Sequence, residues 1–245
     1  MISKNQIKYI KSLHSKITRN EEKKFLVEGK KSLIELLNSD FRIEKLIISQ
    51  DFYNENIALI SRYNFEIIKE NEITNLSTYK TNTDGIAVIY QKENIKLNNN
   101  NEIILVLDNI KDPGNLGTII RIADFYSIKK IIASNNTCEF YNPKVISRTM
   151  GSFSRISIYY TNLEDYLKNE QFPIYGSFLS GEDLHKTKFE KSGFLVIGNE
   201  SNGISKEIEK IVTKKITISK PGNAESLNAG VACGIIVDNI FRNIK

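Results

Sequence analysis

The sequence predicts an α/β protein made of two units, the second a mostly parallel sheet with helices on both faces. Three observations predict it. Short apolar runs alternate with helix-length segments along most of the chain, the pattern of open α/β sheets. One run, Ile103-Ile104-Leu105-Val106-Leu107, is continuously apolar, as a central parallel strand buried on both faces has to be. The stretch Lys92 to Asn101 is polar, Asn-rich and without apolar periodicity, and reads as a linker. The expected domains are therefore 1–96 and 102–245.

In the first domain, Ile2 to Ser15 reads as a Lys-rich helix with Ile7, Ile10 and Leu13 at helical spacing. Phe25-Leu26-Val27 is a short strand, and Gly29 to Asn38 a helix with Leu33, Ile34, Leu36 and Leu37 inward. Lys45-Leu46-Ile47-Ile48 is a strand and Phe52 to Tyr63 a helix. Phe65 to Ile68, Glu70 to Leu76 and Ile86 to Tyr90 complete the unit as strand, helix and strand.

In the second domain, the strand Ile103 to Leu107 is followed by a turn over Asp112 to Gly117 and a helix over Thr118 to Tyr126. Further strands are expected at Lys130 to Ala133, Arg155 to Tyr159, Pro173 to Ser177, Phe194 to Ile197 and Ile216 to Ile218. Helices fit between them at Pro143 to Gly151, Asn162 to Asn169 and Ser205 to Val212, with a last one over Ser226 to Asn243.

Composition bounds the function. The chain has 245 residues, 40% hydrophobic and 26% charged, ordinary for a globular protein. Net charge +5 is a mild basic excess, compatible with nucleic acid. Lys8, Lys11, Lys16, Arg19, Lys23, Lys24, Lys30 and Lys31 crowd its start, as an RNA-contacting edge or as a solvated helix face. The two cysteines, Cys138 and Cys233, allow neither a disulfide framework nor zinc spacing, so no metal is expected. Residues Met1 to Gln6 lack an apolar signal core and no run approaches membrane-spanning length. A cytoplasmic protein without membrane contact is expected.

Three strand–turn–helix junctions in the second domain carry polar residues at close spacing, where open α/β sheets bind ligands. The first, Asp108 to Arg121, has Asn115 on the turn and Arg121 further along the helix. It matches neither G-x-G-x-x-G nor a phosphate-binding loop. Arg121 is either an anion clamp or a structural residue paired with Asp124 or Asp108. In the second, Gly198 admits a close backbone approach, and Glu200 is a site carboxylate or caps the following helix. The third, Lys220 to Ala232, carries Ser226 and Asn228 before a helix of small residues. Ser226 is a site residue or an N-cap, and the small residues permit close helix packing.

At these residues the sequence resembles the SpoU/TrmH family of RNA ribose 2′-O-methyltransferases, within the knotted SPOUT superfamily. The matching motifs are Asp112-Pro113-Gly114-Asn115-Leu116-Gly117-Thr118-Ile119-Ile120-Arg121, Ile197 through Ser205, and Ile218 through Ala229. Arg148-Thr149-Met150-Gly151-Ser152-Phe153 resembles the family's substrate-side loop and helix. More loosely, Phe25 through Gly29 and Thr83 through Val88 resemble its N-terminal substrate-binding module. The resemblance implies a C-terminal deep trefoil knot and S-adenosylmethionine as cofactor. Carried over by position, Ser177, Gly198, Ile218 and Leu227 hold that cofactor. Arg121, Asn115, Glu200, Ser226 and Asn228 serve the chemistry, with Arg121 as base or as phosphate clamp. The implied partners are RNA and a second copy of the chain in a homodimer. The N-terminal domain favours ribosomal RNA over tRNA, because tRNA-modifying members more often carry short helical extensions. Two rival readings are a catalytically silent RNA-binding relative and a metal-free nucleotide hydrolase using Glu200 and Asp112.

Overall fold

A computed structural model describes residues 2–244; Met1 and Lys245, the outer ends of the two expected domains, lie outside the described residues. Backbone contacts divide the chain into two compact units. One takes the residues up to Glu93 together with Phe140–Ser154. The other takes Asn94–Glu139 together with the residues from Arg155 onward.

The first unit runs α1 (Lys4–Ser12), α2 (Lys16–Glu22), β1 (Lys24–Glu28), α3 (Lys30–Leu37), β2 (Ile43–Ile48), α4 (Gln50–Glu55), α5 (Ile57–Ile60), β3 (Glu66–Ile67), α6 (Glu70–Leu76) and β4 (Gly85–Tyr90). Its sheet has the order β1-β4-β2-β3, with β4 antiparallel to both neighbours and β2 parallel to β3. The single helix expected over Phe52 to Tyr63 is two short ones. Asn56 splits them by donating its side-chain amide to the Phe52 carbonyl at 2.9 Å, a local bond that competes with the helix.

The expected basic cluster divides. Arg19 is buried, and its guanidinium donates to the carbonyls of Leu13 and His14 at 3.1 and 2.8 Å. It therefore joins α2 to the end of α1. Lys24 pairs with Glu44 at 2.9 Å and donates to Tyr9 Oη at 3.0 Å, and Lys30 pairs with Glu55. Lys8, Lys11, Lys16, Lys23 and Lys31 stay exposed.

The second unit begins with β5 (Ile103–Leu107), α7 (Pro113–Phe125) and β6 (Lys130–Ser134). The chain then enters the first unit as α8 (Pro143–Thr149) and a 3-10 turn over Ser152–Ser154. There Phe153 is fully buried, with ring centroids 6.2 Å from Phe25 and 5.8 Å from Phe41. Tyr141 packs on Phe25 at 4.5 Å and accepts from the Lys92 amide at 2.9 Å; burial pushes its phenol up to about 12.

Back in the second unit follow β7 (Ser157–Thr161), α9 (Leu163–Leu167), β8 (Ile174–Asp183), β9 (Gly193–Ile197), α10 (Lys206–Glu209), β10 (Lys214–Thr217) and α11 (Ala229–Asn243). The sheet order is β10-β8-β9-β5-β6-β7, and every pair is parallel. All five residues of β5 are buried, as its unbroken apolar run requires. The linker-like stretch forms neither helix nor strand, yet much of it is pinned to this unit. Asn94 exchanges two 2.9 Å bonds with the Tyr160 backbone, and Tyr166 donates to the Leu97 carbonyl at 2.5 Å. Among the described residues, no helix is long and apolar enough to cross a membrane.

Candidate active site

The carboxyl ends of β5, β9 and β10 place the three polar junctions in one unit. The first begins earlier than its sequence suggested. Asp112 to Gly117 is not a free turn, because α7 starts at Pro113 and absorbs most of it. Asp112 is the N-cap, with its carboxylate accepting from the Asn115 amide at 2.8 Å, and proline fits the first helical position. Asn115 thus sits in the first turn of α7, buried at 7% exposure.

That placement aims the Asn115 side chain at both other junctions. Its Nδ2 donates to Glu200 Oε1 at 2.7 Å, and its Oδ1 accepts from Asn228 Nδ2 at 2.7 Å. Glu200 also accepts longer bonds from the Asp112 and Lys111 amides at 3.4 and 3.5 Å. Its carboxylate therefore faces the amino end of α7, where the helix dipole favours it, and not the following helix α10. Asn228, not Ser226, caps α11: its Oδ1 accepts from the Gly230 and Val231 amides at 3.0 and 3.3 Å.

Asn199, not singled out from the sequence, organises the second junction. Its Oδ1 accepts from the Ser201 and Asn202 amides at 3.0 and 3.1 Å, and its Nδ2 donates to the Asn109 carbonyl at 2.8 Å. The signal was present, since asparagine commonly closes such turns onto its own backbone. Asp108, buried, accepts from the Ser205 amide at 2.7 Å and ties the same loop to β5. Gly198 is needed here for the chain's own approach. A Cβ on it would lie 2.3 Å from the Gly203 carbonyl carbon and the Ile204 nitrogen.

Arg121 and Ser226 stand outside this network. Arg121 is exposed, and pairs with neither of the acids considered for it. Asp124 holds Arg155 through bonds of 2.8 and 2.7 Å, while Asp108 is engaged by Ser205 and Asn109. Six residues along a helix turn Arg121 about 120° away from Asn115. Arg121 shares the solvent side of α7 with Thr118 and Phe125, both exposed. Ser226 is likewise exposed.

The four positions carried over for a cofactor lie on or beside the carboxyl-end loops. Ser177 is half-buried on β8, Gly198 follows β9, Ile218 follows β10 half-buried, and Leu227, 48% exposed, precedes α11. Asp183, at the end of β8, accepts from the Ser219 hydroxyl and from the His185 amide at 2.8 Å. These bonds hold its carboxyl below the usual carboxylate range and fasten the loop after β10 to β8. Lys220 donates to the Ala224 and Glu225 carbonyls at 2.6 and 3.2 Å. The set combines apolar side chains with backbone groups and carries no charge of its own, which suits an adenine ring. Among the described residues, no cluster of three or more His, Cys, Asp or Glu could hold a metal ion.

The last helix packs on α7 through its small residues. Gly230 meets Thr118 so closely that a Cβ would come within 2.9 Å of its methyl. Tyr126 donates to Asp238 at 2.8 Å. Beside this seam Phe125 is 81% exposed, Val231 50% and Ile235 37%.

Comparisons with known proteins agree with this architecture. Residues 4–88 match the model of the MRM3-like substrate binding domain. The chain is 29% identical over 240 residues to the 23S rRNA (guanosine(2553)-2'-O)-methyltransferase RlmP of Bacillus subtilis, covering 96% of each chain. Its fold is similar to that of a TrmH-family protein from Porphyromonas gingivalis, at a TM-score of 0.86 with 29% identity over 98% of each chain. It is also similar to an S-adenosylmethionine-bound rRNA methyltransferase from Sinorhizobium meliloti, at a TM-score of 0.87 with 26% identity, over 100% of this chain and 97% of that one. Residues 102–238, more than half of the sequence, match the SpoU rRNA Methylase family model, and the chain belongs to that family.

Proposed function

We propose that this protein is an RNA ribose 2′-O-methyltransferase that uses S-adenosylmethionine and acts on ribosomal RNA. The observation that carries the reading is the bonded set Asn115, Glu200 and Asn228, which joins the start of α7 to the loops after β9 and β10 at the carboxyl edge of a parallel sheet. The similarity to a 23S rRNA methyltransferase along nearly the whole chain supports the RNA class.

When bound, S-adenosylmethionine supplies an activated methyl group on a sulfonium. Ser177, Gly198, Ile218 and Leu227 hold the cofactor, Ile218 and Leu227 with apolar contact to the adenine. Asn115, Glu200, Ser226 and Asn228 orient the ribose. A ribose hydroxyl is a poor nucleophile, so alignment and proton removal set the rate. Arg121 binds a substrate phosphate and so fixes the hydroxyl, because a guanidinium stays protonated and makes a poor base. Its exposure, and its lack of an acidic partner among the described residues, support that role.

The finer architecture belongs to the same proposal. The chain passes from β7 to β8 across three strands, places β9 inside and β10 outside, and lays α11 back on α7. This path supports a trefoil knot closed by the segment from β10 to α11. The apolar strip Phe125, Val231 and Ile235 supports a homodimer through α7 and α11.

Incubation with tritiated S-adenosylmethionine and unmodified rRNA transcripts tests the reading. Label is expected in RNA with wild-type protein and not with Arg121→Ala. A protein that binds RNA but takes up no S-adenosylmethionine in calorimetry would instead be a silent RNA-binding relative.

A further inference from the structure

Glu200 is exposed, yet both oxygens of its carboxylate are held. Asn115 Nδ2 donates to Oε1 at 2.7 Å, and Asn199 Nδ2 donates to Oε2 at 3.2 Å. Each amide can offer Glu200 only a donor, because its oxygen is taken. The Asn199 oxygen accepts from the Ser201 and Asn202 amides at 3.0 and 3.1 Å. At the far end, the Asn228 oxygen accepts from the Gly230 and Val231 amides, so its nitrogen meets the Asn115 oxygen at 2.7 Å. That bond turns the Asn115 nitrogen towards Glu200. Backbone N–H groups at both ends thus set the direction of every bond in the chain, which has one consistent arrangement.

Asn199 is itself anchored. Its backbone exchanges two 2.9 Å bonds with Gly203. Its Nδ2 also donates to the Asn109 carbonyl at 2.8 Å. Asn109 lies at φ 59°, a left-handed conformation that asparagine tolerates better than most side chains. Two bonds of 2.9 Å fasten it there: its Nδ2 donates to Oδ1 of the buried Asp108, and its amide to Ser134 Oγ. A residue kept in a sparsely populated conformation by its surroundings points to a positioned site.

We infer that Asn199 is a positioning residue for methyl transfer, acting through Glu200. It fixes Oε2 while Asn115 fixes Oε1, so one orientation of the carboxylate stands ready before RNA arrives. An exposed glutamate otherwise samples many rotamers, and holding it beforehand removes that entropy cost from the alignment of the ribose. The inference rests on the RNA methyl-transfer reading, in which Glu200 orients the ribose, and names the residue that holds Glu200.

Asn199→Asp separates this role from closure of the turn. Aspartate keeps the oxygen that accepts from Ser201 and Asn202, and it replaces the donor to Glu200 with a second carboxylate. With an unmodified 23S rRNA transcript, Asn199→Asp is expected to lose about a hundredfold in kcat, the scale of a small misplacement in an active site. Its affinities for the transcript and for S-adenosylmethionine stay within about threefold of wild type, because the held carboxylate serves the transition state. In a Glu200→Gln background the same change costs nothing further, since Asn199 then has no carboxylate to hold. Wild-type kcat in Asn199→Asp overturns the inference. So do losses that multiply in the double variant, or a fall in S-adenosylmethionine affinity equal to the fall in kcat. Nuclear magnetic resonance decides the point without the reaction. The side-chain amide protons of Asn115 are expected to move upfield in Asn199→Asp as their bond to Glu200 loosens, and an unmoved resonance overturns the inference. A wild-type protein that methylates no RNA contradicts the reaction, and the resonance still decides whether Asn199 holds Glu200.

Discussion

Asn115 Nδ2 and Glu200 Oε1 lie 2.7 Å apart, joining residues 85 positions apart in sequence. Asn228 completes the link from the other side at 2.7 Å. One buried amide thus ties the start of α7 to the loops after β9 and β10, and its loss should affect all three.

Asn115→Ala should therefore destabilise the protein by about 1–3 kcal/mol, because Asn228 and Glu200 lose their partner. Chemical denaturation measures this. Asn115→Asp should be worse, since it sets a second carboxylate against Glu200. Methyl transfer should fall in both variants.

Arg121→Ala should behave in the opposite way. The side chain is exposed and has no ion-pair partner among the described residues, so the unfolding free energy should stay within about 0.5 kcal/mol of wild type. Transfer to RNA should be abolished, while S-adenosylmethionine affinity measured by calorimetry should hold. Arg121→Lys should recover only part of the rate, because lysine lacks the fork that grips a phosphate.

Gly198→Ala should destabilise by about 1–3 kcal/mol through overpacking, since the added Cβ meets backbone that cannot swing aside. S-adenosylmethionine affinity should fall with it if the loop shapes the cofactor site. Gly222→Ala, where a Cβ meets nothing within 4 Å, is the matched control.

Cys233 gives a pH signature. Full burial pushes its thiol from 9.0 up to about 12. Between those values the unfolded chain releases this proton and the folded one keeps it, so the unfolded state binds fewer protons. Stability should then fall as pH rises from about 9, by at most about 1.4 kcal/mol per pH unit from this group. Cys233→Ala should flatten the slope in denaturation curves taken from pH 8 to about pH 10.5.

Phe153→Ala should cost about 3–5 kcal/mol by emptying a fully buried site against Phe25 and Phe41. A fragment ending near residue 93 lacks Phe153 and Tyr141, and should be less stable than the first unit in the whole chain.

Continuous apolar runs were the most legible part of the sequence. β5 appears at its expected residues, because burial on both faces alone dictates it. The start of α7 was misplaced because Pro113 and Gly114 read as turn residues, although Asp-Pro is also a helix-start signal. α2 left no apolar period: its only large apolar residue, Ile17, is 69% exposed, and its anchor is the buried Arg19. Segment 140–154 read as part of the second domain, and its packing on Phe25 and Phe41 depends on tertiary contacts that periodicity does not encode. The polar residues of the site were legible as types. Their joining was not, because the pairs Asn115–Glu200 and Asn115–Asn228 span 85 and 113 positions.

The most direct test of the proposed reaction is alkaline hydrolysis of rRNA labelled by the protein from tritiated S-adenosylmethionine. A methyl on the ribose 2′-oxygen blocks cleavage of the adjacent phosphodiester. The account predicts label in alkali-stable dinucleotides, present with wild-type protein and lost with Arg121→Ala. Label recovered in mononucleotides, as base methylation gives, or no label in RNA at all, would contradict it.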